Sequence, residues 1–203
     1  MKHGIRLALI GLSACVLSGC ATPPPPVFTS TWKAPDAKRI TSLQGQKVLA
    51  FVLVSNVTMR CKAENALASE LTLQGAVGIA GYTIIPDITE KARAKDVEQK
   101  SGAAGVVTIR IIGHTQKTGA IQPKYTDLSS WGAYWESEWD HAWQPPMINS
   151  YSFVTVETRV YSLTQNKLLW AGRSEPTDPF KVDESIGVIM RAAVDGMKKS
   201  GVM

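Results

Sequence analysis

The chain has 203 residues, 44% apolar and 19% charged, a mix that excludes wholesale disorder, collagen and coiled coil and allows one ordinary domain plus a tail. Twenty-two Lys and Arg against 17 acids leave a net charge of +5, with no basic run or aromatic RNA platform of the kind nucleic-acid binding needs. Three cysteines are too few for a disulfide scaffold, and three histidines, at 3, 114 and 141, are too scattered for a metal cluster.

Residues 1 to 19 read as an export signal. Lys2 and Arg6 give a positive start, and an apolar stretch follows that is too short to span a bilayer, which takes about 20 residues. It ends in Leu17-Ser18-Gly19-Cys20, which resembles the lipobox of bacterial lipoproteins. The resemblance implies that Leu17, Ser18 and Gly19 are read by the signal peptidase and that Cys20 begins the mature chain. It further implies a diacylglycerol on the Cys20 thiol and an acyl chain on its amine; no other cofactor is expected. One myristoyl-sized chain binds a membrane reversibly, whereas two or three anchor stably. A plain secretory signal is the competing reading, and the A-x-A-like ending it favours is absent. By analogy with enteric lipoproteins, Ala21, where an Asp would retain the chain at the inner membrane, points to the periplasmic face of the outer membrane. The inner membrane is the alternative. Loss of residues 1 to 19 removes Lys2, Arg6 and no acid, so the net charge falls to +3. Only Cys61 then remains as a thiol, expected to be a small buried hydrophobe.

Residues 20 to 40 read as the lipidated cysteine and a proline-rich tether. Pro23-Pro24-Pro25-Pro26 favours extended polyproline II, and twenty such residues reach roughly 60 Å. Gln46 to Val54 is a near-continuous apolar run, the pattern of a strand buried on both faces. Met59 to Leu73 predicts a helix with Ala63, Ala66, Leu67 and Leu71 on one stripe. Gly75, Gly78 and Gly81 follow a helix and precede a strand, the reverse of a dinucleotide-binding turn, so helix termination and close helix–strand packing explain them. A second strand is predicted at 81–86, a charged helix at 90–100 and a third strand at 105–112. Residues 113–148 read as an irregular, aromatic-rich insertion. Ser152–Leu163 and Leu168–Arg173 predict a hairpin, and 183–197 a helix with Ile186, Ile189, Met190, Ala193, Val194 and Met197 on one face. The order β-α-β-α-β, insertion, β-β, α predicts a single α/β (α+β) domain over 41–203, with helices packed on a mixed sheet.

Lys47 to Val54, Arg60 and Glu64 ahead of Leu67 and Leu71, Gly81-Tyr82, Val160 to Leu163 and Leu168 to Arg173 together carry a resemblance to small bacterial lipoproteins of the DUF4136 type. More loosely they resemble the first domain of TolB and CsgG-like outer-membrane lipoproteins. The resemblance covers about 40–200. An aromatic, glycine-rich insertion before the hairpin is common in those families; here tryptophan replaces most of the glycine. No catalytic residues come with the resemblance.

Trp131, Trp135, Trp139 and Trp143 recur every fourth residue, with Tyr134 between them. On a helix they form a slowly drifting stripe; on a strand they share one face. They read as rings covering the core, as a partner surface, because Trp and Tyr dominate interface hot spots, or as a sugar-stacking platform with Glu136, Glu138 and Asp140 bonding hydroxyls. A membrane-dipping edge is the remaining option, and the interspersed acids count against it. The five aromatics are therefore the candidate partner- or ligand-binding residues. The acids form no glycosidase pair that any acidic run would not also mimic, and Ser129, Ser130, Asp140 and His141 lack a nucleophile-elbow motif. The function expected is non-enzymatic: an accessory or assembly protein that docks to another envelope protein, with a glycan-binding or hydrolytic envelope protein as the alternative.

Overall fold

The computed structural model describes residues 28–37, 43–86, 94–113, 129–142, 154–174 and 182–203. Six strands, β1 (Phe28–Lys33), β2 (Lys47–Leu53), β3 (Val77–Ala80), β4 (Gly105–Gly113), β5 (Val154–Ser162) and β6 (Lys167–Ser174), form one mixed sheet in the order β1-β6-β5-β4-β2-β3. Pairings of β2 with β3 and β4 are parallel; the rest are antiparallel. Helices α1 (Val57–Leu73) and α4 (Val182–Ser200) cover one face, and α2 (Ala94–Ser101) and α3 (Trp131–Ala142) the other. The α/β class with a single mixed sheet is the one the element order predicts.

Sequence and structure part in several places. The stretch 20–40, read as a tether, is strand from Phe28 to Lys33 and turn to Ala37. The physical reason is a slot. An added Cβ on Gly172 would lie 2.8 Å from the Phe28 ring, and one on Gly196 also 2.8 Å, so two missing side chains, one on β6 and one on α4, admit that ring. It meets Trp170 edge-on at 5.4 Å. At the other end of β1, Lys33 Nζ donates to the Ser200 carbonyl, and beyond it Lys167 pairs with Asp36. Seven residues, 21–27, therefore separate Cys20 from the sheet, a reach of roughly 26 Å when fully extended.

The predicted strand at 81–86 is displaced: the strand is Val77–Ala80, and Gly81–Thr83 forms a turn of 3-10 helix. Gly75, at φ +93°, ends α1 in the left-handed region that a glycine tolerates. Gly78 then lets β3 pass against α1, because a Cβ there would stand 2.1 Å from the Ala68 carbonyl oxygen. Within the insertion read as irregular, residues 131–142 are helical; residues 114–128 and 143–148 lie outside the described residues. Cys61 is half-buried rather than buried, on the α1 flank. The α4 face is as predicted, its six apolar residues all packed in the core.

These packing differences predict opposite outcomes for two alanines. Gly187 lies on α4 with nothing within 4 Å of an added Cβ, so Gly187→Ala should stabilise the fold by about 0.5–1 kcal/mol through helix propensity alone. Gly78→Ala should destabilise it by about 2–3 kcal/mol, because helix and strand have to separate. Urea denaturation of both variants checks the signs.

Candidate functional site

The face of the sheet beneath α3 carries most of the unusual chemistry. Trp131, Tyr134 and Trp135 occupy successive turns of α3, so one side of that helix delivers three rings to the sheet. Ser130 sets its start by accepting from the Ala133 N–H at 3.2 Å, and Asn166 of the β5–β6 turn accepts from the Gly132 N–H at 3.0 Å. The rings meet Phe51 and Tyr161: Trp131 and Trp135 lie 4.8 Å apart, Trp135 and Phe51 5.1 Å, Tyr134 and Tyr161 5.2 Å. Such spacings are those of favourable aromatic pairs.

This placement corrects the reading of the three rings as binding residues. Trp131, Tyr134 and Trp135 are 0%, 1% and 2% exposed, and they offer no face to a partner or a sugar. Of the four options, core cover is the one realised at these positions, because the apolar sheet face that carries Phe51 and Tyr161 has to be covered. The Trp139 side chain and Trp143 lie outside the described residues, as do the side chains of Glu138, Asp140 and His141. Glu136 is exposed, and Ser130 is occupied as a helix-capping residue.

One step along the same face, the rings give way to charge. Arg110, Glu157 and Arg173 stand side by side on β4, β5 and β6 in register. Glu157 is 1% exposed. It accepts from Arg173 Nε and Nη2 at 3.1 Å each and from Arg110 Nη2 at 3.3 Å. Arg159, two residues along β5, adds an ion pair at 3.3 Å, donates to the Tyr161 hydroxyl and lies 5.0 Å from the Tyr134 ring centre. Burial pushes the Glu157 carboxyl up, but the guanidiniums of Arg159, Arg110 and Arg173 outweigh it and hold it below the usual carboxylate range. Burial also raises the Tyr134 and Tyr161 hydroxyls, keeping both protonated. An ionised glutamate surrounded by arginines orients and neutralises; it has no proton to give and little basicity to take one.

The opposite face holds a second buried pair that sequence reasoning left without a role. Arg60 and Glu64 lie one helical turn apart on α1, at 1% and 0% exposure. Glu64 Oε1 accepts from Arg60 Nε at 2.9 Å and from the Val52 N–H at 3.2 Å; its Oε2 accepts from the Tyr82 N–H. Arg60 Nη2 donates to the Ile85 carbonyl at 2.8 Å. One carboxylate thus joins α1, β2 and the turn after β3. Burial raises its carboxyl above the ordinary value, and the Arg60 charge offsets only part of that. The available signal was position: Arg60 and Glu64 fall on the same stripe as Ala63, Leu67 and Leu71, where charge is unexpected.

Among the described residues no three His, Cys, Asp or Glu gather closely enough to hold a metal ion, and no helix is long and apolar enough to cross a membrane. A shallow groove runs between α1 and the sheet edge at β3, bordered by Thr72, Leu73, Gly78 and Thr83. Its backbone is partly closed to strand addition: Thr72 Oγ1 accepts from the Gly78 N–H at 3.2 Å, and Thr83 Oγ1 donates to the Ala80 carbonyl at 2.7 Å. Leu73 on its border is 75% exposed, and Val77, the residue before Gly78, is 48% exposed.

No family model and no curated protein matches the chain. Among solved structures it is similar to PelC dodecamers from Paraburkholderia phytofirmans. In one crystal form the identity is 11% over 81% of this chain and 93% of that one, with a TM-score of 0.42. A point variant in another form gives 10%, 81%, 94% and 0.41. Likeness at this level carries no argument about function.

The arginine row yields a pH prediction. Because the Glu157 pKa is depressed on folding, its stabilisation is present above the ordinary carboxylate pKa and is lost as pH falls through the folded value. Glu157→Gln, which leaves the arginines facing no buried carboxylate, should destabilise the fold at pH 7 by about 3–5 kcal/mol. That gap from the wild type should shrink as the pH is lowered towards 3, measured by denaturant unfolding across the pH series.

Proposed function

We propose that the chain is a lipid-anchored protein of the bacterial cell envelope, held on the periplasmic face of the outer membrane, that works by docking to another envelope protein rather than by turnover. The observation that carries this reading is Leu17-Ser18-Gly19-Cys20 at the end of a short apolar export segment. Two features of the fold support it. The two buried carboxylates, Glu64 and Glu157, are committed to arginines and backbone amides, which suits a scaffold. Leu73 and Val77 present apolar side chains to solvent beside a groove, and such side chains gain from being covered by a partner. The burial of Trp131, Tyr134 and Trp135 removes the support that a sugar-binding platform at those rings requires.

Labelled palmitate should enter the wild-type chain in cells and not Cys20→Ser, and the variant should move to the soluble periplasmic fraction. Equal labelling of both overturns the anchor. A photo-crosslinker replacing Leu73 should capture a single envelope protein in saturable yield in intact cells. Capture spread evenly over many proteins overturns the docking reading.

A further inference from the structure

The sheet has two ends, and the chain leaves the proposed anchor at one of them. Phe28 pairs with Ser174, and one step on, Arg173, Glu157, Arg110 and Leu53 lie in one row across β6, β5, β4 and β2. Phe28 and Val54, which follows β2, therefore stand at the same end of the molecule. The first turn of α1 begins there too. The opposite end carries the β5–β6 turn at 163–166, the start of β2 and the C-termini of α1 and α4.

We infer that the Phe28 end faces the bilayer and that Val57, with Val54 and Met59 beside it, rests on the headgroup layer of the leaflet holding the chain's own acyl groups. This rests on the lipid-anchored reading. The first argument is length. The seven residues between Cys20 and Phe28 reach roughly 26 Å when fully extended. Strands of eight or nine residues make the sheet about as tall. Placing the far end on the membrane would stretch the tether to its limit along the whole domain and leave it a single conformation. Placing the Phe28 end there requires no such stretch.

The second argument is surface chemistry. Val57 opens α1 with its side chain 54% exposed. Val54 and Met59 are half-buried around an apolar pit of about 20 Å³, walled by Val52, Ile109 and Ile186 and without polar lining. Val57 and its aliphatic neighbours gain from contact with the acyl boundary, while Ser55, Asn56 and Thr58, exposed around them, suit the polar headgroup layer. The far end exposes Gln44, Gln46, Thr164, Gln165 and Asn166 together with Leu73 and Val77. Exposed apolar side chains occur at both ends, so the tether length decides between them: the occupant of the Phe28 end is the lipid surface that holds the acyl groups, and the far end, with Leu73 and Val77, projects away from it.

Depth measurement tests this. The full acylated chain, carrying Cys61→Ser and a fluorophore at either Val57→Cys or Gln165→Cys, is reconstituted in phosphatidylethanolamine–phosphatidylglycerol vesicles containing headgroup-quencher lipid. Only protein that floats with the vesicles is measured. Quenching at position 57 should exceed that at 165 at least twofold. Equal quenching, or stronger quenching at 165, in floated protein overturns the orientation and leaves the anchor standing. Failure of the acylated chain to float overturns both.

Discussion

Strand β2 buries six of its seven residues, alternating between two separate cores. A central strand with no watered face forces the whole sheet into the middle of three layers, since every apolar side chain on either side has to be covered. The later features follow from that requirement. Helices α1 and α4 supply one cover with a regular aliphatic stripe. Among the described residues the other face has only the short α2 and a helix from within the insertion, so α3 covers it with large rings. Trp131, Tyr134 and Trp135 are core because a short helix has to fill a wide face, and bulky side chains fill most volume per residue.

Among the described residues, buried charge forms one cluster on each face, in a way that ties elements together. Glu64 joins α1 to β2 and to the turn leading from β3, and Glu157 joins three strands through guanidiniums on either side. The two environments push the carboxyls in opposite directions. Glu157 has several cations near it and is held ionised, whereas Glu64 has one cation and a dry surrounding and is pushed up. Breaking either contact would strand its partner in a medium that solvates charge poorly, so loss of one member of either pair is costly.

The edge strands divide the remaining labour. Thr72 and Thr83 place hydroxyls on the outer backbone of β3, which limits pairing with another chain there. Strand β1 is sewn to the body by the Phe28 ring and by Lys33. On the proposed reading of Cys20 as the lipid anchor, the direction of β1 decides which end of the sheet lies nearer the bilayer.

The sequence by itself determined the element types wherever burial was continuous or strongly periodic. The run from Lys47 to Leu53, the hairpin around Asn166 and the apolar face of α4 are legible because each side chain's fate depends on near neighbours. The lipobox-like stretch at 17–20, on which the proposed anchor rests, is read from the sequence alone, because a linear signal needs no fold. Three matters were decided only by tertiary structure. Phe28 becomes strand because Gly172 and Gly196, some 150 residues away, leave room for its ring. Trp131 and Trp135 lie on a helix and turn inward because a distant sheet face needs covering, which an every-fourth-residue pattern compatible with either helix or strand cannot reveal. Arg60 and Glu64 acquire partners in Val52, Tyr82 and Ile85, which no local periodicity brings together. In each case the deciding contact spans residues far apart in the chain, and only packing in three dimensions sets it.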